Sequence, residues 1–216
     1  MRLALAALIL VACSKKEAAP AVTDAAPPVV VVDAAVPDAS AEDAAAADAA
    51  PAKRSLAGKK VLHVGDSMVG GNFGLTKALE KKLTAEGAKI VRHTQVSETL
   101  VTFDKGPTLR DLLRTHDPDI VIITLGMNDA TVPHPEAFAR NIQNIVRHVG
   151  DRECWWLGPP KGEAPSTLPK VIAENAGTCH FFDATELELE RTSDHIHPTN
   201  EGGAKWADAF WEKFDP

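Results

Sequence analysis

Residues 58–216 predict an α/β domain, a three-layer α/β/α arrangement around a doubly wound sheet of five parallel strands in the order 2-1-3-4-5. Three observations carry this expectation. Short apolar runs alternate with amphipathic stretches, as strands joined by crossover helices do. One run, "DIVIITLGMND", is nearly all β-branched before its glycine, which suits a strand buried on both faces. Polar motifs follow the first, third and fifth runs, where ligands meet the carboxyl edge of such sheets.

In chain order, "KKVLHVGDS" reads as a buried strand, and Asn72–Glu86 as a helix with Leu75, Leu79 and Leu83 on one face and Gly87 as its stop. "AKIVRHTQV" is the second strand, "PTLRDLLRTHD" a short helix and "DIVIITLGMND" the third strand. Pro135–Val149 is helical, with Phe138, Ile142 and Ile145 facing inward; "CWWLG" is the fourth strand, its two tryptophans alternating across the sheet. Leu168–Asn175 is a helix, "CHFFDA" the fifth strand, and Asn200–Phe214 the closing helix, which packs Trp206, Phe210 and Phe214 on the sheet. Strands four and five are neighbours in this order and each opens on a cysteine, so Cys154 and Cys179 are a candidate disulfide.

The first 57 residues are of another kind. Arg2 precedes an apolar run, Leu3–Ala12, too short to span a bilayer and of the length of a secretory signal, so residues 1–12 read as a signal peptide. Leu10-Val11-Ala12-Cys13 resembles the lipobox of bacterial lipoproteins, which implies cleavage before Cys13 and a lipid on its thiol. Ser14, rather than Asp, goes in such proteins with outer-membrane sorting, so the expected location is the cell envelope, on the outer membrane facing the periplasm. Residues 13–57 read as a disordered Ala/Pro/Asp-rich tether. Its span 17–52 holds seven acids and no basic or aromatic residue, so the chain's net charge of −7 belongs mainly to the tether. No basic patch points to nucleic acid, and the expected state is a monomer.

The predicted order sets three motifs on one rim: Gly65-Asp66-Ser67, Gly126-Met127-Asn128-Asp129 and Asp194-His195-Ile196-His197-Pro198-Thr199. A serine hydroxyl becomes a nucleophile when a base within hydrogen-bond reach takes its proton. His197 is placed to be that base, and Asp194, three residues earlier, to hold its ring in the required tautomer. The Ser67 N–H and the Asn128 amide are candidate donors to an oxyanion. Asp66 is expected to order the turn, and Thr199 to cap the last helix. A metal set from His195 and His197 with Asp194 or His180 leaves Ser67 and Asn128 without roles, so no metal or other cofactor is expected.

These blocks resemble the SGNH hydrolases, or GDSL-type esterases, over essentially all of residues 58–216. Ser67 matches the family's serine, Asn128 the asparagine of its G-x-N-D block, and Asp194 and His197 its D-x-x-H block. The resemblance implies a flavodoxin-like fold and metal-free ester hydrolysis, and connections that read as short, with no obvious lid insertion, favour small acyl groups such as the acetyl esters of a glycan. The glycine block is different. The loop after the second strand reads "QVSETLVTF", with no glycine before Gly106, which leaves Ser97 or Thr99 as the substitute oxyanion donor. That missing glycine is also what favours a rival reading, a non-catalytic envelope lipoprotein that keeps the fold as a binding or scaffold module.

Overall fold

The computed structural model describes residues 54–70, 74–162 and 164–214. The signal-like run, Cys13 and the tether up to residue 53 lie outside the described residues. Five parallel strands, β1 (Lys60–Gly65), β2 (Lys89–Thr94), β3 (Ile120–Thr124), β4 (Glu153–Leu157) and β5 (His180–Phe182), form one sheet in the order β2-β1-β3-β4-β5. This is the order the alternation predicts. Among the described residues six α-helices join or follow them: α1 (Gly74–Ala85), α2 (Leu100–Lys105), α3 (Thr108–His116), α4 (Ala139–Val149), α5 (Leu168–Asn175) and α6 (Asn200–Phe214).

Period-two alternation divides the core. Val121 and Ile123 of β3 join Leu62, Val64 and Trp156 against α2–α5, while Ile120 and Ile122 join Val61 and Leu157 against α1 and α6. All of β3 is buried, and each such aliphatic side chain contributes about 1.5–3 kcal/mol through removal from water. Trp155 and Trp156 fall on opposite faces, and Trp206, Phe210 and Phe214 of α6 are fully buried. Gly203 lets α6 lie against the start of α1, since a Cβ there would come within 2.4 Å of the Leu75 backbone nitrogen. Cys154 and Cys179 are disulfide-bonded at the heads of adjacent strands, their Cα atoms 4.4 Å apart.

Three details depart from the sequence expectation. The domain begins before residue 58: Leu56 is buried, and Arg54 binds both oxygens of Glu153 (2.7 and 2.8 Å) while lying over the Phe214 ring. Pro135–Phe138 is a 3-10 turn that leads into α4 rather than its first turn. Finally, α2 occupies what reads as loop. Thr99 caps it, with its hydroxyl accepting from the Thr102 N–H and the Thr102 hydroxyl accepting from the Thr99 N–H.

Candidate active site

Ser67 sits one residue past Asp66 on the turn that ends β1. Gly65 makes that turn possible: its φ is 153°, and a Cβ would fall 1.7 Å from the Thr124 carbonyl oxygen, so only glycine lets β1 meet β3 this closely. Asp66 is fully buried. Its carboxylate accepts the N–H groups of Met68 (2.8 Å), Gly126 (3.3 Å) and Met127 (3.2 Å), fastening the serine turn to the loop after β3. Burial, opposed by the three N–H groups and reinforced by Asp129, pushes its carboxyl up to about 6.

Asp194 and His197 lie on a hairpin that returns the chain to α6. Arg191 pairs antiparallel with Pro198, the Thr192 N–H donates to the His197 carbonyl (2.8 Å) and the Thr199 N–H to the Glu190 carbonyl (2.9 Å). Thr199 then caps α6, accepting from the Gly202 N–H at its hydroxyl and from the Gly203 N–H at its carbonyl. The hairpin tip folds the Asp194 carboxylate back on itself. One oxygen accepts from the Thr192 hydroxyl (2.7 Å) and from the N–H groups of Ile196 and His197 (both 2.9 Å). The other lies 2.6 Å from His197 Nδ1, and His197 Nε2 lies 2.8 Å from Ser67 Oγ.

Asp194 is thus held well below the usual carboxylate range, first by the His197 ring, then by the His197 and Ile196 N–H groups and the Thr192 hydroxyl. An ionised carboxylate only accepts hydrogen bonds, so the ring proton sits on Nδ1 and leaves Nε2 to accept from the serine hydroxyl. This arrangement can move the Ser67 proton onto the imidazole and hold the resulting charge.

Asn128 lies in a 3-10 turn, Met127–Asp129, after β3. Its amide donates one N–H to the Glu98 carbonyl (2.8 Å), which fixes the group and leaves the second N–H available. Asp129 ties the same turn to α2 by accepting the Leu100 N–H (3.0 Å), and burial raises its carboxyl, opposed by that N–H and reinforced by Glu98. Thr99 is committed to capping α2 at both its N–H and its hydroxyl. Ser97 differs. It holds a left-handed φ of 61°, which costs a non-glycine residue roughly 1–2 kcal/mol, and its N–H bonds to no described residue. The Ser67 N–H is likewise without a partner among the described residues. The Ser97 loop is tied to the serine turn by the Gln95 N–H on the Gly65 carbonyl (3.1 Å) and the Thr94 hydroxyl on the Asp66 carbonyl (2.8 Å).

The roles of Asp129, the Glu98 carbonyl and Arg191 are not evident from the sequence motifs. Asp129 stands in the G-M-N-D block, which signals a rim position without saying what it holds. Arg191 donates to the carbonyls of Ile196 and Lys161, joining the hairpin to the loop after β4. Of the clefts along this rim, one opens onto the Ser67–His197 pair and a second starts at Asn128. One, of about 420 Å³, is bounded by Ser67, Thr94, Val96, Thr192, Asp194 and His197. The other, of about 350 Å³, begins at Asn128 and runs along His195, Ile196 and the loop Pro159–Gly162. His180 stacks on Trp155, with ring centroids 4.6 Å apart.

Residues 60–176 match the family described as "Protein of unknown function (DUF459)". The chain belongs to that family. The DUF459 match takes in Ser67, Ser97 and Asn128 and ends before the hairpin of Asp194 and His197. Protein BcsX of Komagataeibacter xylinus is 22% identical over 199 residues, which cover 72% of this chain and 76% of that protein. Among solved structures, the lipase/acylhydrolase from Enterococcus faecalis matches with a TM-score of 0.57 at 17% identity, covering 72% of this chain and 95% of that one. TesA matches with a TM-score of 0.58 at 21% identity, covering 72% of this chain and 98% of its own. What these chains share is the fold, the five-stranded parallel α/β sheet.

Proposed function

We propose that this DUF459 chain is a serine ester hydrolase that works through an acyl-serine intermediate. Its substrates are short acyl esters, acetyl foremost, of carbohydrate or other envelope compounds. The observation that carries the reading is the unbroken relay from Ser67 Oγ through His197 to Asp194, at 2.8 and 2.6 Å. His197 Nε2 takes the hydroxyl proton as Oγ attacks the ester carbonyl. The tetrahedral oxyanion is received by the N–H groups of Ser67 and Ser97 and the second N–H of Asn128. As the intermediate collapses, His197 returns the proton to the leaving alcohol. Water then attacks the acyl-serine, with His197 again as base, and the carboxylic acid departs.

Ser97 answers the feature that favours a merely binding role. Glycine is useful in an oxyanion loop because it frees the backbone to aim its N–H, and Ser97 reaches the left-handed region without being glycine. The connections after β3, β4 and β5 span residues 125–138, 158–167 and 183–199, longer than the sequence reading expects, so the preference for small acyl groups rests on the modest size of the two clefts. The proposal includes a lipid on Cys13 that tethers a monomeric domain to the outer membrane on its periplasmic side, which rests on the lipobox-like run and the acidic tether.

The test is turnover of 4-nitrophenyl acetate by the purified chain, beside Ser67→Ala. Hydrolysis abolished in the variant supports the reading. Equal rates in parent and variant, or none in a folded parent against a panel of acyl lengths and acetylated glycans, refute it.

A further inference from the structure

The cleft that starts at Asn128 has a composition that the hydrolytic machinery does not need. Met127, Pro159, Pro160 and Pro169 give it an apolar floor, Thr131, Ser166 and Thr185 supply hydroxyls, and Lys161 supplies an ammonium group. None of its described lining residues is acidic or carries a Phe or Trp ring. At about 350 Å³ it falls at the small end of ligand pockets, which run roughly 300–1,000 Å³. The Lys161 ammonium makes no ion pair or hydrogen bond with a described residue, although its backbone is fixed by the Arg191 guanidinium on its carbonyl. The same guanidinium holds the Ile196 carbonyl, next to His197. The cation is therefore carried on a wall braced to the catalytic hairpin.

A substrate whose reacting carbonyl sits between Ser67 and Asn128 extends its remaining part along this wall. Hydroxyls beside one imidazole, His195, and no Phe or Trp ring among the described lining suit a polar ring held mainly by hydrogen bonds. An ammonium group unpaired among the described residues, in a cleft whose described lining holds no acid, suits one negative charge on that ring. We propose that the cleft receives the alcohol part of an acylated acidic sugar, and that Lys161 selects for its carboxylate. The inference rests on the hydrolase reading above and adds the substrate class.

The experiment uses the full chain and measures acetate release from O-acetylated methyl glucuronate and from the matching O-acetylated methyl glucoside. A preference in kcat/KM of about fivefold or more for the uronate is expected at low salt, shrinking as salt is added, because the ion pair is partly exposed. Lys161→Gln is expected to bring the ratio to about one, and Lys161→Arg to retain it. A ratio near one in the parent, or one unchanged in Lys161→Gln, overturns the inference. If neither sugar is cleaved, protection against fluorophosphonate labelling of Ser67 is read instead. Methyl glucuronate that protects better than methyl glucoside, and only with a cation at position 161, supports the inference, and equal protection overturns it. A folded chain that is never labelled overturns the hydrolase reading itself, and this inference with it.

Discussion

Asp194→Asn is the substitution whose outcome the geometry decides most sharply. Three donors converge on Asp194 Oδ1, from Thr192, Ile196 and His197, and only the imidazole meets Oδ2. An asparagine keeps its carbonyl oxygen at the first position, because the flipped amide sets its own N–H groups against three donors to satisfy one contact. The –NH₂ group then faces His197 Nδ1 and donates to it. That forces the ring proton onto Nε2, where it points at Ser67 Oγ and cannot be replaced by the serine proton. The fold is untouched, since the hairpin bonds survive, while kcat falls by about 10⁴-fold, the scale of the same change in other hydroxyl–imidazole–carboxylate systems. The assay is kcat on 4-nitrophenyl acetate at neutral pH, with the ring tautomer read by ¹⁵N NMR of the imidazole. A folded variant that stays within about tenfold of the parent, or whose ring keeps its proton on Nδ1, refutes the reasoning.

Ser97→Pro removes the proposed oxyanion N–H and forbids a positive φ, so it abolishes turnover, whereas Ser97→Gly keeps the N–H, relieves the backbone and remains active; steady-state rates of the two variants check this. Asn128→Ala is expected to lower kcat by about 10²–10³ with little change in KM, because the proposed role of its second N–H is in the transition state. His63 is fully buried, with Nε2 against the Thr124 hydroxyl, and burial first, then Arg92, lowers its pKa to about 3 from 6.5. Its stabilising contribution is complete above the unfolded value and is lost as pH falls toward 3, about 2 kcal/mol of it by about pH 5. Asp66 acts oppositely, its raised carboxyl weakening the fold as pH rises through about 6, so the comparison is made on His63→Gln, whose urea midpoint falls less than the parent's on acidification. Reducing the Cys154–Cys179 bond frees a sequence separation of 25 residues and costs about 3–4 kcal/mol in the chain-entropy account, read as a lower urea midpoint with dithiothreitol.

The strand order was legible because apolar runs such as "DIVIITLGMND" report burial on both faces directly, and with the order came the shared rim of Ser67, Asn128 and His197. Other features depend on contacts that no run of residues spells out. Helix α2 is short and partly exposed, and its start signal is a threonine pair, Thr99 and Thr102, in place of the usual Thr and Glu. The oxyanion donor proposed on the loop after β2 reads equally as Ser97 or Thr99, because sequence gives hydroxyls but not backbone dihedrals; the left-handed φ of Ser97 and the capping duty of Thr99 are what favour Ser97 in the proposal. Arg54 belongs to the domain through Glu153 and Phe214, residues nearly a hundred or more positions away, so the change in composition near residue 53 marks the boundary only approximately. Lys161 in a Pro/Gly-rich stretch reads as an ordinary surface lysine until Arg191 is seen to brace its backbone against the hairpin of Asp194 and His197.

The most direct measurement is mass spectrometry of the chain after brief exposure to a fluorophosphonate, with peptide mapping of the adduct and His197→Ala in parallel. A relay that activates one hydroxyl gives a single adduct, on Ser67, that is lost when the imidazole is removed. A folded chain that acquires no adduct, or an adduct spread over several serines and unaffected by the loss of His197, contradicts it.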